Sequence, residues 1–290
     1  MTTVTEHART LEAEPRVGEW ESPPTLRTMR PIDLATLARQ AALMTRRDRK
    51  YLVERAHVPV VLERLHQTAQ VLEIEGRRQF GYQSCYFDTP ALTSYLLAAR
   101  RRPRRFKVRT RTYLDSDTRW LEVKLRDGRG HTRKSRIPWA SRVTEGSGAG
   151  GTAPGSIGAE GAAFVATQLA GTVADPERVV GQLAATLTTQ YLRTTLHLPA
   201  DAARVTIDES LEAWDWAGSD VLAPGLAIIE TKGSGPACTA DRVLWSLGQR
   251  PIRVSKYATS LARMHPSLPA TTWRPALRRL DAADAGRAPA

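Results

Sequence analysis

Several short segments of this chain alternate charged and apolar residues, and this pattern constrains the fold more than any other feature. Residues two apart in a β-strand lie on the same face of a sheet, so each face can be read from the sequence. In the segment RFKVRTRTY, Lys107, Arg109 and Arg111 share one face, and the residues between them share the other. The pattern therefore predicts a strand that carries three cations in a row.

Other segments repeat this alternation, and their polar faces carry the following residues: Glu122, Lys124 and Arg126; Lys134 and Arg136; Arg204, Thr206 and Asp208; Glu230 and Lys232; and Arg46, Asp48 and Lys50. Solvated outer faces are the ordinary explanation for one or two such strands. A whole series of strands in which cations dominate instead favours the inner face of a closed sheet. There, the repulsion among the cations is tolerable only if a polyanion or counterions neutralise it.

The hydrophobic periodicity of the chain predicts its fold class. Period-two alternation predicts strands over residues 48–53, 85–88, 106–114, 120–126, 132–137, 192–198, 204–208 and 227–232. Helical spacing of apolar residues predicts helices over residues 58–74, 164–169, 177–187 and 256–264, with a short one over residues 32–43. Strands with helices between them predict an α+β fold with a large, mostly antiparallel sheet.

Length and local composition predict the domain organisation. The chain has 290 residues, of which 41% are hydrophobic, and this is enough for one sizeable core. We expect one domain over residues 43–266, with a flexible extension over residues 1–42 and a flexible tail over residues 267–290, because these ends lack sustained periodicity. Residues 145–163 are rich in Gly and Ala, which predicts a linker or insertion loop.

The charge and cysteine content narrow the class of partner. The 42 Lys and Arg residues against 30 Asp and Glu residues give a net charge of +12, which predicts an anionic partner. Nucleic acid is disfavoured, because few aromatic residues are interleaved with the cations for base stacking. Cys85 and Cys238 stand apart from each other and from any His-rich stretch, so we expect neither a disulfide scaffold nor a zinc site, and a cytoplasmic location. No apolar run has the length of a membrane span or a signal peptide.

Six ordered blocks of sequence resemble one known family. The blocks are RRDRKYLV, SCYFDTPALTSYLLAARRRPRRFKVRTRTY, LEVKLRDGRGHTRKSRI, QYLRTTLHLPADAARVTID, AIIETK and VSKYATSLARMH, which run from Arg46 to His265. Together they resemble the VTC domain of the vacuolar transporter chaperone family, in the triphosphate tunnel metalloenzyme superfamily that also contains the CYTH group. The resemblance implies an eight-stranded antiparallel β tunnel. It also implies a polyphosphate polymerase that uses ATP with Mn²⁺ or Mg²⁺.

The resemblance also implies which residues form the site. Phosphate oxygens would be held by Lys50, Arg109, Arg111, Lys124, Lys134, Arg193, Arg204 and Lys256, and the metal by Glu230 with Glu122 as a second acid. We expect Lys50, Arg109, Arg111, Lys124, Arg204 and Lys256 to be catalytic, and Lys107, Lys134, Arg136, Arg193 and Ser255 to bind substrate. Arginine forks bind phosphate oxygens bidentately, whereas lysines act as movable point charges. A carboxylate on a cationic wall suits a divalent cation that bridges phosphates.

Each of these assignments has a simpler structural alternative. Glu230 and Glu122 would serve only as ion-pair partners of neighbouring lysines. Ser255 would be only the N-cap of the helix that follows it, or its hydroxyl would also face phosphate. Tyr86 and Phe87 are expected to be core residues.

Two departures from the related families bear on function. The CYTH group opens with a Glu-x-Glu-x-Lys motif, and Arg46, Asp48 and Lys50 occupy those positions here. Loss of the first carboxylate weakens a two-metal hydrolase site and favours the polymerase. The eukaryotic polymerases also sit beside membrane segments, so any translocating partner of this chain would be a separate protein.

The predicted reaction is phosphoryl transfer, in which the protein supplies position and charge rather than a nucleophile. The histidines are scattered, and only His197 falls near a charged strand face, so a phosphohistidine intermediate is unsupported. Two alternatives stay open. One is a tripolyphosphate or nucleoside triphosphate hydrolase, and the other is a module that binds polyphosphate or inositol phosphates without turnover.

Overall fold

The computed structural model describes residues 23–41, 47–139, 157–215 and 217–285. Its strands are β1 (Arg30–Ile32), β2 (Arg47–Glu54), β3 (Gln70–Leu72), β4 (Gln79–Asp88), β5 (Arg105–Tyr113), β6 (Thr118–Arg126), β7 (Thr132–Pro138), β8 (Ala184–Leu198), β9 (Ala203–Asp215), β10 (Asp220–Ala223) and β11 (Leu226–Gly233). Its helices are α1 (Pro24–Thr28), α2 (Leu34–Ala41), α3 (His57–Leu65), α4 (Thr93–Ala99), α5 (Gly158–Leu169), α6 (Pro176–Gly181), α7 (Thr239–Ser246), α8 (Lys256–Met264) and α9 (Arg274–Ala285).

One mostly antiparallel sheet organises the molecule. Its strands follow the order β2-β11-β9-β8-β4-β5-β6-β7, and these are the strands predicted from the sequence, most of them longer than predicted. Three short strands that the sequence did not reveal add to this path, with β3 on β8, β1 on β3 and β10 on β9. The α+β class and the antiparallel tunnel sheet are therefore confirmed, and among the described residues the sheet has 11 strands rather than eight.

Helices cover the apolar face of this sheet. Val108, Leu121 and Val123 pack in one apolar cluster with Val165 and Leu169 of α5. Burial of these apolar side chains makes the main favourable contribution to the free energy that holds α5 against the sheet.

A second cluster does the same farther along the sheet. Tyr51, Val205 and Ile207 pack with Val61 of α3 and Leu244 of α7. Since both clusters occupy the apolar side of the alternating strands, the charged side is left facing the interior of the curved sheet.

The structure corrects two predicted helices. The helix expected over residues 58–74 ends at Leu65, and residues 70–72 form β3, where Val71 pairs with Leu196 and is fully buried. The helix expected over residues 177–187 ends at Gly181, and β8 begins at Ala184. Glycine is a poor helix residue, and the Thr-rich run that follows suits a strand.

The flexible extension predicted over residues 1–42 is wrong for residues 23–41. Leu26 and Met29 are 0% and 1% exposed in the cluster that contains Val61 and Leu65, and β1 pairs with β3. Isolated apolar residues anchor this segment, and they leave no periodic signal in the sequence. Residues 1–22 and 42–46 lie outside the described residues.

The flexible tail predicted over residues 267–290 is wrong as far as Ala285. Ala276 and Leu280 of α9 are 0% and 6% exposed and pack with Leu52 and Ile228 of the sheet. Their spacing of four residues places them on one face of the helix. Residues 286–290 lie outside the described residues.

The predicted Gly-rich loop is also partly helical. Residues 145–156 lie outside the described residues, but Gly158–Leu169 forms α5. A Cβ at Gly161 would lie 2.7 Å from the Trp139 ring, so only glycine allows this helix to approach the sheet so closely.

Within the described ranges, no helix combines the length and apolar character needed to cross a membrane.

The packing of α9 makes a prediction about stability. We expect Ala276→Asp to lower the free energy of unfolding by about 3 kcal/mol, because it buries an unpaired charge. Arg278→Ala on the exposed side of the same helix should change it by less than about 0.5 kcal/mol. Urea unfolding followed by circular dichroism measures both. Equal stabilities for the two variants would show that α9 is not part of the core.

Candidate functional site

The charged face of the sheet is concave, as interactions between charged residues on strands near its two ends indicate. Lys124 of β6 has its pKa lowered by desolvation and by Lys50 of β2, while Glu230 of β11 opposes this. These strands lie at opposite ends of the strand order, so charges on them can meet only if the sheet curls around a central space. We call this concave surface the inner face.

The segment that leads into α8 helps to close the space. The backbone N–H of Ile252 donates to the carbonyl oxygen of Lys50 at 2.8 Å, on the free edge of β2. Three residues later, the Ser255 hydroxyl accepts a hydrogen bond from Lys107 Nζ of β5 at 3.0 Å. The chain therefore bridges from β2 to β5 over the inner face.

The inner face contains the site residues that were predicted from the sequence. They come from the strands and from the start of α8, and they are Lys50, Lys107, Arg109, Arg111, Glu122, Lys124, Lys134, Arg136, Arg193, Arg204, Glu230, Ser255 and Lys256. Cross-strand register places them in rows rather than in one cluster. Lys107 lies opposite Lys124, and Lys232 lies between Arg204 of β9 and Asp48 of β2. Like charges opposite each other destabilise a sheet unless something neutralises them.

Glu122 is the centre of the first ionic cluster. Its carboxylate lies 2.7 Å from Arg109 Nη2, 2.6 Å from Lys134 Nζ and 3.9 Å from Arg111 Nε, and its side chain is 2% exposed. Desolvation raises its pKa, but Arg109, Arg111 and Lys134 outweigh this and lower it to about 2. Both oxygens already contact cations, so the geometry favours the ion-pair alternative over a metal ligand for Glu122.

Asp208 is the centre of a second ionic cluster. Arg193 donates to it with two hydrogen bonds of 2.6 and 2.7 Å, and Lys256 Nζ contacts it directly. Desolvation opposes ionisation, yet these two cations hold the pKa of Asp208 well below its usual value. Lys256 Nζ also lies 4.1 Å from the centroid of the Tyr191 ring. Asp208 was not among the predicted site residues, although its place on the charged face of RVTID was the available signal.

Glu230 is held less tightly than the other two acids. Its carboxylate oxygens lie 3.3 Å from Lys232 Nζ and 4.0 Å from Lys50 Nζ, so the ion-pair alternative is observed for Glu230 as well, at longer distances than for Glu122. Desolvation raises its pKa, but Lys50 and Lys232 lower it to about 2, so it is ionised at neutral pH. Opposite it on β9, the buried Thr206 hydroxyl has no hydrogen-bond partner among the described residues.

These features test whether a divalent cation fits at Glu230. No group of three or more His, Cys, Asp or Glu residues that could hold a metal occurs in the part of the chain that the structure describes. Mg²⁺ is commonly held by one or two carboxylates together with substrate phosphates, and it keeps several waters. Glu230 and the unpaired Thr206 hydroxyl beside it fit this kind of site, in which a ligand completes the coordination.

Tyr86 and Lys107 form a titratable pair within the cations. Tyr86 is 3% exposed, and its hydroxyl accepts a hydrogen bond from Arg109 Nη1 at 3.3 Å. Desolvation raises the pKa of Tyr86, but Arg109, Lys107 and Lys256 lower it to about 7. Desolvation lowers the pKa of Lys107 to about 7 as well, with Tyr86 opposing the shift. The sequence correctly predicted a buried Tyr86, but not the place of its hydroxyl among cations.

The remaining predicted residues occupy the ends of the inner face. Ser255 caps α8, since its hydroxyl accepts from the Ala258 N–H at 3.3 Å, so its N-cap role is observed alongside its contact with Lys107. Arg136 of β7 is exposed, and its guanidinium lies 4.2 Å from the Trp120 ring centroid. Lys124 and Lys134 are also exposed at this end of the sheet.

The Tyr86 environment makes a spectroscopic prediction. We expect one tyrosine to ionise near pH 7, well below the usual value of about 10, and to raise the absorbance at the tyrosinate band. Tyr86→Phe should remove this transition, and Lys107→Met should move it to higher pH, because a stabilising cation is lost. Tyr113→Phe is the control and should leave it unchanged. A wild-type protein without tyrosinate below pH 9 would contradict the proposed environment.

Solved structures offer only weak likenesses to this fold. A Vibrio parahaemolyticus protein described as a candidate adenylate cyclase matches with a TM-score of 0.39 at 11% identity, over 73% of this chain and 95% of that one. A Hippeastrum protein described as a candidate adenylyl cyclase with a dominant triphosphatase activity matches with a TM-score of 0.41 at 13% identity, over 73% of this chain and 93% of that one. A Pyrococcus horikoshii protein matches with a TM-score of 0.37 at 11% identity, over 72% and 91%.

Sequence comparison gives the firmer relationship. None of the curated proteins matches this sequence significantly. The sequence profile of the VTC domain, however, matches residues 45–265, which span all strands of the main sheet and α8. By this match, which covers most of the chain, the protein belongs to the VTC domain family.

Proposed function

We propose that this protein is a polyphosphate polymerase, which transfers the γ-phosphoryl group of ATP to a growing polyphosphate chain inside the tunnel. The observation that carries the proposal is the excess of cations over acids on the inner face. Glu122, Asp208 and Glu230 each contact two or more cations, and Lys107 and Lys124 lie on the same face besides. Such a surface is best neutralised by a ligand with repeated negative charge.

The chemistry asks the protein for position and charge. Phosphoryl transfer proceeds with little covalent help from side chains, so catalysis depends on holding the two phosphates in line and on stabilising charge at the transferred group. Arg109 and Arg193 present guanidinium groups that bind phosphate oxygens, and Lys50 and Lys256 provide movable charges. A divalent cation held by Glu230 would supply further neutralisation of the transferred phosphoryl group.

Family membership and one sequence departure support the polymerase over a hydrolase. The VTC resemblance implies polyphosphate synthesis, whereas the CYTH hydrolase motif lacks its first carboxylate here because Arg46 occupies that position. Fewer carboxylates weaken a two-metal site that would activate water.

The first experiment is incubation of the full chain with ATP and Mn²⁺ or Mg²⁺, followed by sizing of the products on a gel. Long chains support the polymerase; orthophosphate alone, or no product despite binding, would replace it by the hydrolase or the binding module.

A pair of matched double variants tests whether the tunnel binds the anion. We expect Lys50→Ala with Lys124→Ala to weaken tripolyphosphate binding about 100-fold, because two charge-assisted contacts are lost. Arg274→Ala with Arg278→Ala removes the same net charge from the exposed side of α9 and should change the affinity less than about twofold. Isothermal titration at one fixed salt concentration measures both. Equal losses would mean that binding reflects net charge and not the tunnel.

The metal assignment has its own test. We expect Glu230→Gln to abolish metal-dependent turnover while leaving the fold intact, because the amide keeps the shape and loses the charge that attracts the cation. Glu177→Gln on the exposed surface of α6 is the control. Circular dichroism confirms folding, and turnover is measured over a range of Mn²⁺ concentrations. Wild-type turnover in Glu230→Gln would exclude Glu230 as the metal ligand.

A further inference from the structure

The cations of the inner face continue beyond the tunnel into an exposed arginine patch. Arg105 precedes Lys107 by two residues on β5, and Arg126 follows Lys124 by two residues on β6, so each arginine extends the cationic row of its strand. The register pairs Arg105 directly with Arg126 across the two strands.

Two more arginines meet this pair from other parts of the chain. Arg105 donates a hydrogen bond to the carbonyl oxygen of Arg102 at 2.9 Å, which places the loop after α4 beside it, and the contact of Lys107 with Ser255 places the segment before α8 against the same strand. Desolvation lowers the pKa of Arg105, and Arg126, Arg253 and Arg101 lower it further, as expected for charges that lie close together. We define the arginine patch as Arg101, Arg105, Arg126 and Arg253. Arg101, Arg126 and Arg253 are exposed, and Arg105 is half-buried.

The arginine patch lowers the stability of the folded protein. Like charges directly opposite each other destabilise a sheet, and this applies to Arg105 and Arg126. Arg101 also has a φ of 55°, in the left-handed region where a residue with a side chain is strained. Within the described parts of the chain, none of the patch arginines forms a salt bridge. The neighbouring Asp127 is engaged instead by the N–H groups of its own hairpin, at 2.9 and 2.8 Å.

We propose that the arginine patch is a second anion-binding site, which holds the part of a long polyphosphate chain that extends outside the tunnel. The inference rests on the proposed function and adds to it a second site for the same polyanion. A triphosphate or ATP fits within the inner face and has no need of the patch, whereas a long linear polyanion leaving that face past Lys107 and Lys124 meets Arg105 and Arg126 next. Continuity with the tunnel favours polyphosphate over nucleic acid or an anionic membrane as the occupant.

Two triple variants test the proposal at equal net charge. The patch variant combines Arg101→Gly, Arg126→Gln and Arg253→Gln, with glycine chosen because it tolerates the positive φ of position 101. The control combines Arg178→Gln, Arg274→Gln and Arg278→Gln, three exposed arginines of α6 and α9. Titration at one salt concentration compares long-chain polyphosphate with tripolyphosphate, and binding to RNA and to anionic phosphatidylserine vesicles is measured alongside.

We expect the patch variant to bind long-chain polyphosphate about tenfold more weakly and tripolyphosphate almost as well as the wild type, since exposed ion contacts are individually weak but add up. The control should bind both as the wild type does. The unliganded patch variant should melt at the same temperature as the wild type or higher, because repulsion and backbone strain are relieved.

Other results would overturn the proposal. Equal losses in the patch and control variants would indicate generic basicity, and an equal loss for both phosphate ligands would merge the patch with the tunnel site. A selective loss of RNA or vesicle binding would assign the patch to that partner, and a lower melting temperature would make its arginines structural. If the wild type fails to bind tripolyphosphate at all, it is the proposed function that fails, and this outcome is distinct from those above.

Discussion

The tunnel depends on buried carboxylates that hold its cations in place. Removing charges from water is expensive, and a buried ion pair is stable only when its geometry and hydrogen bonding are good. Asp208 meets this condition, because it is almost fully buried, accepts two hydrogen bonds from Arg193 and contacts Lys256. Glu122 is also almost fully buried and contacts Arg109 and Lys134 at close range. Without these acids, the cations of β5, β8 and α8 would repel one another across a narrow space.

This arrangement explains the unusual placement of the helices. A sheet with a charged interior must bury its apolar side elsewhere, and here α3, α5 and α7 cover it from outside. The end of the inner face near Leu52, Ile228 and Tyr191 is apolar instead, and α9 packs there with Leu280. The molecule therefore has two kinds of core, an apolar one between sheet and helices and an ionic one inside the sheet. A site of this kind gains function at the expense of stability.

The sequence predicts structure correctly where polar and apolar residues follow a strict period. It does not predict features that depend on strand register or on isolated contacts. The alternation in β5 and β6 placed Arg109 and Glu122 on one face correctly, because a strand leaves no other choice. It did not reveal the pairing of Arg193 with Asp208, because that pairing depends on the register between β8 and β9. This register shifts between Gln190 and Leu192 of β8. Residues 184–187, the first four of β8, were predicted to be helical because a short apolar run suits either element. Leu26 and Met29 gave no signal, because single anchoring residues have no period.

The most direct test of this account is a crystal structure of the full chain with tripolyphosphate and Mn²⁺. We predict phosphate groups on the inner face, within hydrogen-bonding distance of Lys50, Arg109 and Lys256, and Mn²⁺ beside Glu230. Phosphate bound only to the outer surface, with Arg109 still paired to Glu122 and Lys256 to Asp208 as in the free protein, would contradict it.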